Sequence, residues 1–145
     1  MTKRVLLRIK GTQFTQGIAE DKAEDIEVIC PGEYYYRNNT HYIRYEEVMD
    51  GEPEPVKSMI KLRDGECIVT KKGICQTQMV FENGKKSLTD YVTPFGNIMI
   101  GLDTTALMVE ETEDIIRIFI KYGLEANYQF MSECTMEIEI EAKGQ

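Results

Sequence analysis

The chain predicts an all-β fold, a closed antiparallel up-and-down barrel of about eight to ten strands. Apolar residues recur at every second position along nearly the whole sequence, the period of a half-buried strand. Three dipeptides suited to two-residue hairpins, Asn38-Asn39, Asp64-Gly65 and Asn83-Gly84, sit between β-favouring runs. Each can supply the positive φ that a type I′ turn needs at both central positions. No segment has the length and amphipathicity of a helix able to cover a sheet edge, and closure into a barrel removes edges that would pair with other chains.

The first strand runs from Arg4 to Gln13, with Val5, Leu7 and Ile9 on one face and Leu6, Arg8 and Lys10 on the other. Phe14 to Asp25, with its acidic stretch from Glu20, reads as a loop or a single helical turn, too short for a major helix. Ile26, Val28 and Cys30 open the second strand, and Pro31-Gly32 predicts a bulge or bend because proline lacks the donor a central ladder needs. Across Asn38-Asn39 the register sets Tyr36 opposite His41, Tyr35 opposite Tyr42, Tyr34 opposite Ile43 and Glu33 opposite Arg44. One face then collects Tyr34, Tyr36, His41, Ile43, Tyr45 and Glu47, and the other Tyr35, Arg37, Tyr42 and Arg44 with Glu33 and Glu46.

Met49 to Val56, with Gly51, Pro53 and Pro55, is the one long loop. Across Asp64-Gly65, Ile60, Leu62, Cys67 and Val69 share a face. Lys72-Gly73 turns the chain, and pairing across Asn83-Gly84 brings Met79 opposite Leu88. Thr93-Pro94-Phe95-Gly96 is a tight turn, since proline fixes one φ and glycine frees another. Ile98, Ile100 and Leu102 resume the alternation, Ile116, Ile118, Ile120 and Tyr122 continue it, and Gly123 to Ala126 makes the next turn. In the last strand Phe130, Ser132, Cys134, Met136, Ile138 and Ile140 alternate with Met131, Glu133, Thr135, Glu137, Glu139 and Glu141, one core face and one wet face. The same strands would also build a sandwich. Closure is preferred because it leaves no bare edge; it would also lay the first strand beside the last, with Arg8 and Lys10 near Glu137 and Glu139, a charge match of small individual worth.

At 145 residues the chain reads as one domain, 1–145, able to bury a core without disulfides or metals. A formal charge of −8 repels phosphate backbones and anionic lipid, so neither nucleic acid nor membrane is an expected partner. The apolar run at the N-terminus is too short for a signal peptide, and no stretch approaches the roughly 20 apolar residues of a membrane helix, so a cytoplasmic setting is expected. Cys30, Cys67, Cys75 and Cys134 form no CxxC pair and read as free thiols, without a disulfide or a zinc site. No phosphate-binding glycine loop, HExxH or EF-hand pattern is present, so no cofactor or metal is expected. With one histidine and no Gly-x-Ser-x-Gly frame there is no serine triad.

Several stretches resemble a known family in order and spacing: Gly32-Glu33-Tyr34-Tyr35-Tyr36 leading to Tyr42-Ile43-Arg44-Tyr45-Glu46-Glu47; Met79-Val80-Phe81-Glu82-Asn83-Gly84; Tyr91-Val92-Thr93-Pro94-Phe95-Gly96 with Thr104-Thr105; and Tyr122-Gly123-Leu124. Together they are similar to the YwiB-like family of small uncharacterised bacterial proteins, mostly from Firmicutes. The resemblance spans nearly the whole chain. It implies a calycin-like (lipocalin-type) β-barrel in the cytoplasm and brings no catalytic or binding residues. Lys71-Lys72 departs from the Arg-rich approach expected before Gly73.

The residues offer three functions. In the leading one a small non-catalytic barrel binds a small, partly apolar molecule in its interior or mouth, through Tyr34, Tyr36, His41, Tyr45, Glu47 and Phe95. Phenols, an imidazole and a carboxylate on one inner face would hydrogen-bond such a molecule, with Phe95 capping the mouth or plugging the core. Tyrosines simply filling the interior is the plainer account of the same face. The second is a protein–protein module using the outer Tyr35, Arg37, Tyr42 and Arg44, residue types enriched at interfaces. The third is an enzyme pairing Glu47 with His41 or Asp90 for acid–base chemistry, with burial raising the carboxyl pKa; solvent, Lys57 or Lys61 is the plainer partner for Glu47. The residues set no oligomeric state.

Overall fold

Asn38 and Asn39 both adopt positive φ, 52° and 58°, a backbone that asparagine tolerates better than most residues. The type I′ turn they form sets the register of the hairpin it closes. Arg37 faces Thr40, and Tyr36, Tyr35, Tyr34 and Glu33 face His41, Tyr42, Ile43 and Arg44, as the sequence predicts. The computed structural model describes residues 3–15, 24–48 and 51–143. They form ten strands: β1 Lys3–Thr15, β2 Glu24–Arg37, β3 Thr40–Glu47, β4 Val56–Arg63, β5 Glu66–Lys72, β6 Thr77–Glu82, β7 Lys86–Thr93, β8 Gly96–Glu111, β9 Ile115–Ala126 and β10 Gln129–Ala142. The region from Phe14 to Asp25, read as a loop or helical turn, has strand at both margins, and its centre lies outside the described residues. No helix among the described residues is long and apolar enough to cross a membrane.

All ten strands are antiparallel in one sheet of order β6-β5-β4-β3-β2-β1-β10-β9-β8-β7. Each strand pairs with its sequence neighbour except at two places. The first is the junction of β1 with β10, where Arg8 faces Glu139 and Lys10 faces Glu137, the predicted charge match. The second is the seam between β6 and β7. Among the described residues, Gln76 and Val92 exchange two backbone hydrogen bonds of 2.9 Å there, and the sheet forms a nearly closed barrel.

The interior is packed by the chain's own side chains. Leu7, Ile43, Ile60, Phe81, Ile118 and Ile138 head a continuous buried cluster, drawn from the inward parity of strands all round the barrel. The faces predicted for β1, for the β4–β5 hairpin and for β9 are the faces that are buried.

Five local expectations are corrected. Pro31-Gly32 produces no bulge; β2 runs straight through, pairing Pro31 with Leu6 and Gly32 with Val5. Pro31 lies on the stretch of β2 that β3 does not reach, so its missing N–H costs no bond to β3. At Asp64-Gly65 and Asn83-Gly84 only the glycines take positive φ, 75° and 78°, so neither turn is type I′. The Asn83-Gly84 hairpin also lacks its ladder. Gly84 N and Thr104 N bond to Thr104 O and Lys85 O respectively, pulling the turn onto β8, and Gln76 faces Val92, one residue out of the register that would set Met79 opposite Leu88.

The turn expected at Gly123 to Ala126 lies at Asn127 and Tyr128 instead, both at positive φ, and β9 continues through Gly123 to Ala126. The fifth correction concerns Phe130. A register shift between Phe130 and Ser132 turns the phenylalanine away from the inward row that runs from Ser132 to Ile140, leaving it half exposed.

Candidate functional site

Inward residues at the end of β3, with their neighbours on β4 and β5, build one mouth of the barrel. Tyr45 faces Ser58, and Ser58 faces Lys71. Glu47, two residues beyond Tyr45 and on the same side, reaches Lys71: Nζ lies 3.1 Å from its Oε1. Ser58 Oγ makes a weak hydrogen bond to the same oxygen at 3.5 Å. The pair is half-buried, with side-chain exposures of 29% for Lys71 and 19% for Glu47, so its electrostatics are screened less than a surface pair's. Burial, and then the charge of Glu47, push the Tyr45 phenol well above its ordinary value; the Cys30 thiol is raised by the same two causes. Both groups therefore present protonated, hydrogen-bonding forms at neutral pH.

Beside this polar group is a hollow of about 170 Å³, walled by Ile9, Val28, Ile60, Val69, Met79 and Met136 and reached by Tyr45, Glu47 and Lys71. Gly11 also lines it, and a Cβ built there would meet nothing within 4 Å.

The other aromatic residues of the same face lie at the opposite end of β3. His41 and Glu47 are six residues apart on the strand, about 20 Å at a rise of about 3.3 Å per residue. The Tyr34 hydroxyl and His41 Nδ1 are 2.8 Å apart, and His41 Nε2 is 3.5 Å from Glu111 Oε1. With the proton on Nε2, facing the Glu111 carboxylate, Nδ1 accepts from the Tyr34 O–H. β3 and β8 have β2, β1, β10 and β9 between them in the sheet, so the imidazole clasps two sides of the barrel. Tyr36 places its ring edge-on to the imidazole at 4.9 Å and donates to Asn39 Oδ1 at 3.4 Å. It is 52% exposed. Burial first, then the charge of Glu111, raise the Tyr34 phenol, which keeps it a neutral donor.

The six candidate residues therefore divide into three places. Tyr45 and Glu47 belong to the mouth, Tyr34, Tyr36 and His41 to the clasp, and Phe95 to neither. Phe95 sits at the tip of the β7–β8 turn, 99% exposed; the turn itself forms as predicted, with Thr93 Oγ1 donating to Gly96 O and accepting from Phe95 N. It neither caps the mouth nor plugs the core. Asp90, the other suggested partner of Glu47, is exposed on β7. Lys57 and Lys61 do not pair with Glu47 either: Lys57 faces Glu46, and Lys61 lies over the Tyr42 ring.

Lys71 and Glu111 are the residues that sequence reasoning missed. Lys71 was within reach, because the Asp64-Gly65 hairpin register, carried a few residues further, sets it on the inward row with Cys67 and Val69. Glu111 was not. A register shift between Thr104 and Ala106 moves the inward row of β8 from even to odd positions, and no residue type announces it.

On the outside, the Tyr35 and Tyr42 rings stack at 4.7 Å with planes 6° apart, Arg44 over the first and Lys61 over the second. A wider outer hollow of about 530 Å³ lies across β2, β1, β10, β9 and β8. Charged ladder residues dominate it, among them Arg8, Lys10 and the Arg117–Glu139 pair at 3.2 Å. The mouth, though smaller, joins an apolar wall to a few convergent polar groups, the usual composition of a small-molecule site.

The sequence profile of a domain of unknown function, DUF1934, matches residues 8–138. The chain belongs to that family. It is similar to the uncharacterised β-barrel protein YwiB of Bacillus subtilis (strain 168), 28% identical over 115 residues that cover 78% of this chain and 80% of that one. The crystal structure of the ywiB protein from Bacillus subtilis superimposes with a TM-score of 0.85 at 24% identity, covering 99% of this chain and 94% of that one. The family resemblance read from the sequence is thus borne out. The structural likeness establishes the fold, and these comparisons bring no catalytic or binding role.

Proposed function

We propose that this DUF1934 protein is a non-catalytic binding module that holds a small, partly apolar molecule in the mouth lined by residues of β1 to β6 and β10. One observation carries the reading. Among the described residues the barrel centre holds a continuous cluster of buried side chains, while a hollow of about 170 Å³ remains where Tyr45, Glu47 and Lys71 converge. The other two readings have less support. An enzyme pairing His41 with Glu47 needs groups that the strand holds about 20 Å apart, and the outer tyrosines already have Arg44 and Lys61 over their rings. A soluble, cytoplasmic setting is part of the same proposal, supported by the charged outer ladder of Arg8, Lys10, Glu137 and Glu139.

Native mass spectrometry of protein purified from its own cells tests the reading, with Gly11→Phe as the control, since Gly11 lines the hollow and a Cβ there meets nothing within 4 Å, so an added ring is expected to occupy it. The expected result is one small molecule per chain in the wild type and none in a folded Gly11→Phe variant. Equal retention by both would place the molecule elsewhere and end the proposal.

A further inference from the structure

The mouth has a size, a wall chemistry and a charge state that together specify its occupant. Its volume, about 170 Å³, is close to that of a cavity that holds a single benzene ring, about 150 Å³. The body of the ligand is therefore no larger than one six-membered ring. Met79 and Met136 both face the hollow; thioethers adapt to flat shapes and attract ring edges, which favours an aromatic body over an aliphatic one.

The head group is constrained by the ion pair. Glu47 and Lys71 are already in contact at 3.1 Å and half-buried, so the site as built is neutral. A carboxylate ligand would compete with Glu47 for Lys71, and an ammonium ligand would compete with Lys71 for Glu47. Either leaves one protein charge unpaired in a partly desolvated place, the costly half of a broken buried pair. A neutral head with an acceptor and a donor side by side adds to the pair without breaking it. It accepts from the Lys71 ammonium and donates to the Glu47 carboxylate, with the protonated Tyr45 hydroxyl beside it.

We infer that the mouth selects neutral, single-ring aromatic molecules bearing one carboxamide or hydroxyl group, against their charged counterparts, because a Glu47–Lys71 pair and not a lone charge forms the polar end of an apolar, ring-sized hollow. The inference rests on the binding-module reading above and names the ligand class for that same site.

Three probes of one shape separate the head groups: benzamide, benzoate and benzylamine, titrated into the intact ¹⁵N-labelled protein and followed by amide chemical shifts. In the wild type benzamide binds at least tenfold more tightly than either charged probe, with shifts centred on Tyr45, Glu47, Lys71 and Met79. In Lys71→Met the uncompensated carboxylate turns the preference to benzylamine, and in Glu47→Gln the uncompensated ammonium turns it to benzoate. A merely structural ion pair would weaken all three probes alike. Benzoate or benzylamine binding to the wild type within threefold of benzamide overturns the ligand class and leaves the mouth as a binding site. Absence of shifts at the mouth with every probe, together with no retained molecule in the native mass spectrum, overturns the class and the module reading at once. The wild-type comparison decides between classes even if a variant does not fold.

Discussion

A Cβ at position 32 would lie 2.5 Å from Leu7 Cδ1 and 2.8 Å from the carbonyl oxygen of Arg44. The leucine tip has some freedom, but the Arg44 carbonyl belongs to the β3 backbone and has little. Gly32 is thus required by close approach, in a strand whose φ any residue would adopt. Gly32→Ala is expected to lower stability by about 1–3 kcal/mol, the usual cost of forcing extra volume into a packed place, read from the urea midpoint. Sequence reasoning singled out the same dipeptide for a bend, which shows the limit of reading glycine by its φ alone: the letter marks a need for space as readily as a need for curvature. At the candidate site, Tyr45 and Glu47 were legible because the Asn38-Asn39 turn fixes every position along β3. Their separation from His41 was legible too, in the six residues between them, yet a shared face was read as a shared site.

Turns and bulges decide how much of each element the sequence discloses. Where the two central residues are Asn-Asn, register and faces follow for the whole hairpin. Where the left-handed pair is Asn127-Tyr128, the signal is muted, because a bulky aromatic is a poor candidate for positive φ. Tyr128 adopts φ 69° and is largely exposed, so its ring repays little of that strain. Tyr128→Gly is expected to raise the thermal midpoint, with a gain of about 1 kcal/mol from relief of the left-handed backbone, measured by calorimetry. The two register shifts, beside Phe130 on β10 and beside Thr105 on β8, have no comparable signature. They arise where long strands must curl around a closed sheet, a demand of the whole barrel and not of the residues concerned.

For the molecule as a whole, the deepest titratable groups are acids kept neutral by burial. Cys67 is pushed up to about 12 from an ordinary value of 9.0, and burial also raises the phenols of Tyr45 and Tyr122 above their ordinary 10.0. A raised acid holds its proton in the folded state at a pH where the unfolded chain has lost it. The stability linked to these groups is therefore fully present below pH 9, declines as pH rises past 9 and 10, and for Cys67 is spent by about 12. A circular-dichroism titration should show a constant urea midpoint from pH 7 to near 9 and a progressive fall above it. Cys67→Ser or Cys67→Ala, if folded, should soften the first part of that fall. A midpoint that stays level to pH 11 would contradict the assignment.

The barrel closes fully along β1–β10 and only lightly between β6 and β7, where one bridge and the Thr104 clip hold the margins together. Amides of Met79 to Phe81 and of Thr89 to Tyr91 should therefore take up deuterium well before those of Leu7 to Lys10 and Glu137 to Ile140 under native conditions. Met79 stands both on this loosely stitched margin and in the wall of the mouth, which Ile9 and Ile138 of the firmly laced side also line. The bore of the vessel is then expected to yield first on the β6 flank, whether or not the mouth holds a guest as proposed.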